Sequence, residues 1–365
     1  MIKEYLFASR VTSLRAGYRY IAACMSFALV FFLLQQLLMP KYAGDIPEGN
    51  LIREYYSTSK DHSIIFIGDC EVFAGISPIV LWEEYGITSF IRGSAQQLVW
   101  QSYYLLEETL RHEIPELIVF SVLAMQYSEP QYEPFNRLTL DGMRLSISKI
   151  RSIRASRLYY EDWLSYFFPL FRFKDRWREI TIEDFRYLFT RPQVSINGFM
   201  VRTDVMPAGW IPDPIPRATL RFGDMPFMYL QKISSLLAEH NVPLLLIKAP
   251  TIFPYWHTEW NEQMAGFAYE NGISFINFLN YLDEIGLDFR YDTRDGGSTL
   301  NLQGAEKFTL FLGQMVSDMY RLTDRRNDIH AVARWQEKAM LYNRVIERQL
   351  REIETYGRII DFLVR

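Results

Sequence analysis

The sequence predicts an α/β fold built on a parallel sheet, and two observations carry that reading. Five short runs are continuously apolar, and stretches with apolar residues at three-and-four spacing lie between them. Strands buried on both faces read as unbroken apolar runs. Regular alternation of strand and helix puts helices on both sides of a parallel sheet, a doubly wound arrangement. A chain of 365 residues, 49% hydrophobic and 22% charged, is long enough for one such domain with additions.

The N-terminal stretch is membrane-like. Residues 20–39, YIAACMSFALVFFLLQQLLM, carry no charge, and at ~1.5 Å per residue they reach across a ~30 Å hydrocarbon layer. Lys3, Arg10, Arg15 and Arg19 precede them. The positive-inside rule therefore expects residues 1–19 in the cytoplasm, a single-pass anchor at 20–39, and the rest of the chain outside the cell. A cleaved signal peptide is the competing reading. The run is long for a signal-peptide core and KYAGD offers no small-x-small cleavage site, which favours the anchor. Residues 40–61 are polar and irregular and read as a tether.

The expected α/β domain covers 62–325. Its strands are SIIFIG (63–68), ITSFIR (87–92), ELIVFSVL (116–123), VPLLLIKA (242–249) and ISFINF (273–278). Its helices are 77–85, where Ser77 caps and Pro78 opens the first turn, then 97–113, 225–240, 259–272 and 302–320. An insertion at about 126–224 separates the third and fourth strands. Its first part, YYEDWLSYFFPLFRFKDRWREI (159–180), reads as helical, aromatic and basic; its second part, 205–224, is proline-rich and irregular. Three readings stay open for it: a helical cap over the sheet, a glycopolymer groove with Trp163, Trp177 or Trp210 stacking on sugars, or contact with the membrane surface or a membrane-embedded acyltransferase. In the last segment, 326–365, apolar residues from Ile329 to Leu363 recur at gaps of three and four, one stripe of a long amphipathic helix. The stripe packs on its own domain or serves as an assembly surface, which would make the chain a homo-oligomer.

Charge excludes one class of partner. A net charge of −4 with no long basic run argues against nucleic acid. No spacing of His, Cys, Asp or Glu resembles a metal-ligand motif, although Asp69, Asp292 and Asp295 stand near predicted strand ends. No cofactor is expected. Of the two cysteines, Cys24 lies in the anchor and Cys70 stands alone outside it, so an intramolecular disulfide has no partner there. Cys70 follows the first strand at a tight turn, where it is either a small buried residue or a nucleophile at the sheet's carboxyl edge.

Three blocks together resemble the SGNH, or GDSL-like, hydrolase superfamily: Gly68-Asp69-Cys70, the IRGSAQQ of 91–97, and DTRDGGSTLNLQGAEKFT at 292–309. The resemblance spans about 61–125 and 225–320 and implies a three-layer α/β/α, flavodoxin-like domain. It lies nearest to membrane-anchored members acting outside the cell in Gram-positive envelopes, including relatives of proteins that place D-alanyl or acetyl esters on wall polymers. By resemblance, Cys70 stands where the family has its serine nucleophile, and Gly93, helped by Gln96, matches the oxyanion donors. Asp292 and Asp295 fall in the aspartate-then-histidine segment. Thr299 occupies the place of the histidine before Leu300-Asn301. A thiol can replace the hydroxyl as nucleophile, but a threonine cannot take a proton at neutral pH. His257, just beyond the fourth strand, is either a substitute base or a helix-start histidine. Glu71 beside Cys70 opposes thiolate formation. Two functions follow as expectations: handling of acetyl-type esters on a cell-surface glycopolymer through Cys70, or a degenerate member that binds the polymer or scaffolds a membrane O-acyltransferase.

Overall fold

The computed structural model describes residues 2–39, 49–190, 193–210, 213, 214, 216 and 219–364, with side chains of the first helix from residue 17. The chain forms two compact units. One comprises Gly44–Glu161 with Gln193–Arg365, the other Met1–Ala43 with Asp162–Pro192.

The larger unit holds the parallel sheet that the apolar runs predict. Its strands are β1 (Ile64–Gly68), β2 (Ser89–Gly93), β3 (Leu117–Ser121), β4 (Leu244–Lys248) and β5 (Ser274–Asn277), in the spatial order β2-β1-β3-β4-β5. All four neighbouring pairs are parallel, with Gly68 opposite Gly93 at the end of one ladder and Ser121 opposite Ile247 in another. Every residue of β1 to β4 is buried, which is why those segments carry no polar alternation.

The flanking helices are Pro78–Tyr85, Val99–Thr109, Asp224–Glu239, Thr258–Asn271 and Leu302–Met319. The Ser77 hydroxyl accepts from the Val80 amide at 3.4 Å, and Asn301 accepts from Gly304 at 3.1 Å, so local capping sets both starts. Arg92 in β2 is fully buried. It donates to the Leu105 carbonyl at 2.8 Å and the Thr109 hydroxyl at 2.7 Å, and pairs with Glu108 at 3.2 Å, locking β2 to the helix that follows it.

Two expectations need correction. The described end of the expected tether is structured: Asn50–Glu54 is a helical turn followed by a 3-10 turn at Tyr55–Ser57, and Leu51, Ile52 and Tyr55 are buried. Residues 40–48 lie outside the described residues. The segment 159–180 is no continuous helix. It breaks into Trp163–Tyr166, Pro169–Phe173 and Lys174–Glu179, each one to two turns long. Pro169 supplies the reason, since the residue before a proline is driven out of the helical region, and Phe168 sits at φ −125°, ψ 89°.

The carboxyl-terminal helix, Ile329–Tyr356, packs along its own domain. Trp335 stacks on Trp82 with ring centres 5.4 Å apart, and the Tyr342 hydroxyl donates to Glu306 at 2.7 Å. The buried face includes Gln349, whose amide donates to the Val201 carbonyl at 2.9 Å and accepts from the Thr203 amide at 3.1 Å. Ile329, Leu350 and Tyr356, which belong to the expected apolar stripe, remain exposed.

In the smaller unit, Gly17–Leu38 of the helix Ile2–Leu38 is long and apolar enough to cross a membrane, with a mean hydropathy of 2.1. The short pieces of 163–186 pack against that helix. Phe168 lies on Phe31 with ring centres 5.8 Å apart.

Candidate active-site region at the carboxyl edge of the sheet

The chain leaves β1 through Gly68, whose φ of +154° suits glycine. A side chain there would put its first carbon 2.8 Å from that of Ser121. Asp69 follows as the cap of the short helix Cys70–Gly75, its carboxylate accepting from the Glu71 amide at 3.1 Å. Cys70 is thus the first residue of that helix, half-buried. Gly93 lies beside it at the end of β2. A methyl group on Gly93 would fall 2.9 Å from Val72 Cγ2, 3.1 Å from the Gly68 carbonyl oxygen and 3.3 Å from that of Asp69, so glycine fits this close approach of the two strand ends without displacing its neighbours. Gln96, three residues on, adopts a left-handed conformation at φ 52° and is half-buried.

Beneath the turn lies a buried ion pair that the sequence did not single out. Glu71 and Lys248 are both fully buried, with Nζ 2.5 Å from Oε1. Ser121 at the end of β3 donates to Glu71 at 2.7 Å, and the Thr251 hydroxyl donates to it at 2.5 Å. Lys248 also donates to the carbonyls of Ala249 at 2.6 Å and Thr251 at 3.0 Å. Each charge is therefore surrounded by hydrogen bonds, the condition under which a buried pair is tolerated. The pair ties the Cys70 helix to the ends of β3 and β4. The lysine closing an otherwise apolar strand, LLLIK, was the signal in the sequence that could have revealed it.

The segment 292–301 folds as a tight loop. Thr293 and Leu300 form an isolated antiparallel bridge, and the Thr293 hydroxyl donates to the Thr299 carbonyl at 2.8 Å. The loop joins the one after β4 through the Ile252 and Phe253 amides, which donate to the Gly297 carbonyl at 3.0 and 3.1 Å. Thr299, buried, donates through both its amide and its hydroxyl to Asp295, each at 2.7 Å, and its hydroxyl accepts from Arg294 Nε at 2.9 Å. The Thr299 hydroxyl is thus held between a cation and a carboxylate.

Asp292 serves another neighbour. It is fully buried and accepts from Lys307 at 2.7 Å and from the Asp288 amide at 2.8 Å. His257 caps the helix Thr258–Asn271 and packs edge-on against Tyr255 and Trp260. Cys70, Gly93, Asp295 and Thr299 are therefore gathered at one edge. Asp292 is engaged towards the helix Leu302–Met319, and His257 sits in an aromatic cluster.

Electrostatics disfavour a thiolate. Burial pushes the Cys70 thiol well above its usual range, and the carboxylates of Asp69, Glu71 and Asp295 push the same way, with Arg294 opposing them. The helix N-terminus also favours an anion, but only by about 0.3–1 kcal/mol, less than one pKa unit. Burial alone can shift a group by up to ~3–5 units. Asp69 is itself pushed up to about 8 by burial and then by the charge on Glu71.

Arg294 also lines a cleft of about 760 Å³ between the 202–206 segment and the carboxyl-terminal helix, together with Arg202, Asp204, Met206, Ile353 and Phe362. Arg202 is paired with Asp204 through two bonds of 2.9 and 2.8 Å and lies over the Phe362 ring. Burial, then Arg202, lowers Arg294 from its ordinary value. Nothing in the sequence pattern marks either arginine.

No protein-family profile and no curated protein matches the chain. Among solved structures it is similar to a GDSL-like lipase from Bacteroides thetaiotaomicron VPI-5482, at 11% identity over 74% of this chain and 98% of that one, with a TM-score of 0.36. It is also similar to a protein from Desulfitobacterium hafniense DCB-2 described as lipolytic and of the G-D-S-L family. That likeness runs at 10% identity over 69% of this chain and 98% of that one, with a TM-score of 0.33.

Proposed function

We propose that the chain is a single-pass, membrane-anchored protein of hydrolase-like fold that binds acyl-bearing strands of a cell-surface glycopolymer without turning the ester over. One observation carries this reading. Where a base would be needed, the Thr299 hydroxyl is committed to Asp295 and Arg294, near a thiol that burial and the Glu71 and Asp295 carboxylates keep protonated. A hydroxyl that cannot accept a proton at neutral pH does not activate Cys70 from that position. The cleft beside Arg294 supplies the binding surface: cationic and polar groups with apolar walls suit an acylated polymer that carries anionic groups. Presentation of that polymer to a membrane O-acyltransferase is the partner role that fits such a protein.

The test uses the full chain in detergent. Calorimetric titration with an O-acetylated acidic polysaccharide should show binding, weakened at least tenfold by Arg294→Gln. Release of acetate or p-nitrophenol from acetyl esters should not exceed that of Cys70→Ala. Ester turnover that disappears in Cys70→Ala would overturn the non-catalytic reading. It would establish a second one, acyl transfer through a Cys70 thioester with oxyanion donors from its own backbone, Gly93 and Gln96. That second reading is favoured by the partly exposed thiol at the first residue of a helix, with Gly93 against the backbone of the preceding Asp69.

A further inference from the structure

We propose that residues 163–189 form a wedge that enters the leaflet at the carboxyl end of the anchor, so that the protein holds its membrane by a monotopic element as well as by a single span. The proposal rests on the reading of Gly17–Leu38 as a membrane span and adds to it.

The argument begins with depth. Phe31 lies seven residues before Leu38, so at ~1.5 Å per residue it sits about 10 Å inside the end of the span. Its ring packs on Phe168, with centres 5.8 Å apart, and on Phe27, at 6.2 Å. A side chain touching Phe31 at that depth is itself below the headgroups. Phe168 continues into Phe171 at 6.0 Å, and Phe171 is 50% exposed.

Nearer the end of the helix the chemistry changes as an interface requires. Arg176 donates to the carbonyls of Leu37, Leu38 and Met39 at 3.2, 3.4 and 3.4 Å, and to Asp184 at 2.8 Å. The last carbonyls of a helix have no partner within it, and a guanidinium is favoured at that negative end. Trp177, exposed, lies beside Arg178 at 5.2 Å. Tryptophan and arginine at one level, with phenylalanines about two turns deeper, is the ordering of groups across a headgroup boundary. Ile182 and Phe189, 80% and 88% exposed, extend the apolar rim. In water these side chains would be a large uncovered patch; in lipid they are solvated.

The experiment places single cysteines in a Cys24→Ser, Cys70→Ser background of the full chain, at Phe27, Phe171, Trp177 and, as an aqueous control, Tyr269, which is 89% exposed in the larger unit. Each is labelled with an environment-sensitive fluorophore and reconstituted in phosphatidylcholine–phosphatidylglycerol vesicles containing lipids spin-labelled in the headgroup or along the acyl chain. The label at Phe171 should shift to the blue and be quenched more by acyl-chain than by headgroup spin labels. The label at Trp177 should be quenched more by headgroup labels, and Tyr269 by neither. A water-like signal at Phe171 with a lipid-like one at Phe27 overturns the wedge and keeps the span. Water-like signals at both remove the span and the wedge with it. A blue shift at Phe171 without lipid quenching assigns the surface to a second copy of the chain and also overturns the proposal.

Discussion

Lys248→Met tests the link between the ion pair and the turn that presents Cys70. The substitution keeps the length of the side chain and removes its charge, leaving Glu71 buried with only the Ser121 and Thr251 hydroxyls and the Ala249 amide as donors. Both members of the pair are 0% exposed, so water cannot take the lysine's place without the site opening. Breaking a buried pair from one side costs ~3–5 kcal/mol. For a domain of this size ~1 kcal/mol corresponds to about 2 °C or slightly more in Tm, so the expected fall is about 6–10 °C. Glu71→Gln combined with Lys248→Met removes both charges and should recover much of that loss. The two substitutions should couple by ~1–3 kcal/mol in a double-mutant cycle. Thermal unfolding by near-ultraviolet circular dichroism reads the result. A loss under ~2 °C for Lys248→Met, or strict additivity of the two changes, would refute the view that this pair locks the turn.

Three further outcomes are expected. In a Cys24→Ser background, Glu71→Gln removes one of the charges that raise the thiol, so alkylation of Cys70 at pH 8 should accelerate, with each pKa unit lost raising the thiolate fraction about tenfold; an unchanged rate would show that the Glu71 charge does not act on the thiol. The Asp69 carboxyl rises from 3.8 to about 8 on folding, so between those values the folded state holds a proton that the unfolded state has lost. Stability should therefore fall as pH rises through that window, by at most ~1.4 kcal/mol per unit, and level off above it. Asp69→Asn, which keeps the cap, should flatten a Tm profile measured from pH 4 to 9; an unaltered slope would place the titration elsewhere. Trp335→Ala should cost ~3–5 kcal/mol in denaturant unfolding because the ring is 2% exposed against Trp82, whereas Ile329→Asp, at an 82% exposed site, should stay within ~0.5 kcal/mol. The reverse order would mean that the terminal helix does not pack as described.

What the sequence determined by itself is the framework. Strands buried on both faces must be apolar throughout, so β1 to β4 are legible within two or three residues, as is the partly buried β5, and the cap Ser77 marks a helix start because side-chain capping is a local event. The turn at Gly68–Cys70 and the place of Gly93 are legible for the same reason, since they lie directly at strand ends. Tertiary structure decided the rest. The Glu71–Lys248 pair joins residues 177 positions apart, and although a lysine closing an apolar strand is a local hint, nothing local names its partner. The commitment of the Thr299 hydroxyl depends on how the 292–301 loop closes, and the role of Arg294 on the cleft made when the terminal helix returns to the 202–206 segment. The periodicity of that helix revealed an amphipathic face but not its centre. Gln349 is buried and Leu350 exposed because the Val201 carbonyl accepts from the Gln349 amide and the Thr203 amide donates to it, a condition set by a segment about 150 residues away. Local chemistry shapes elements and their ends; which charges lose water, and beside which partners, is determined only when distant segments meet.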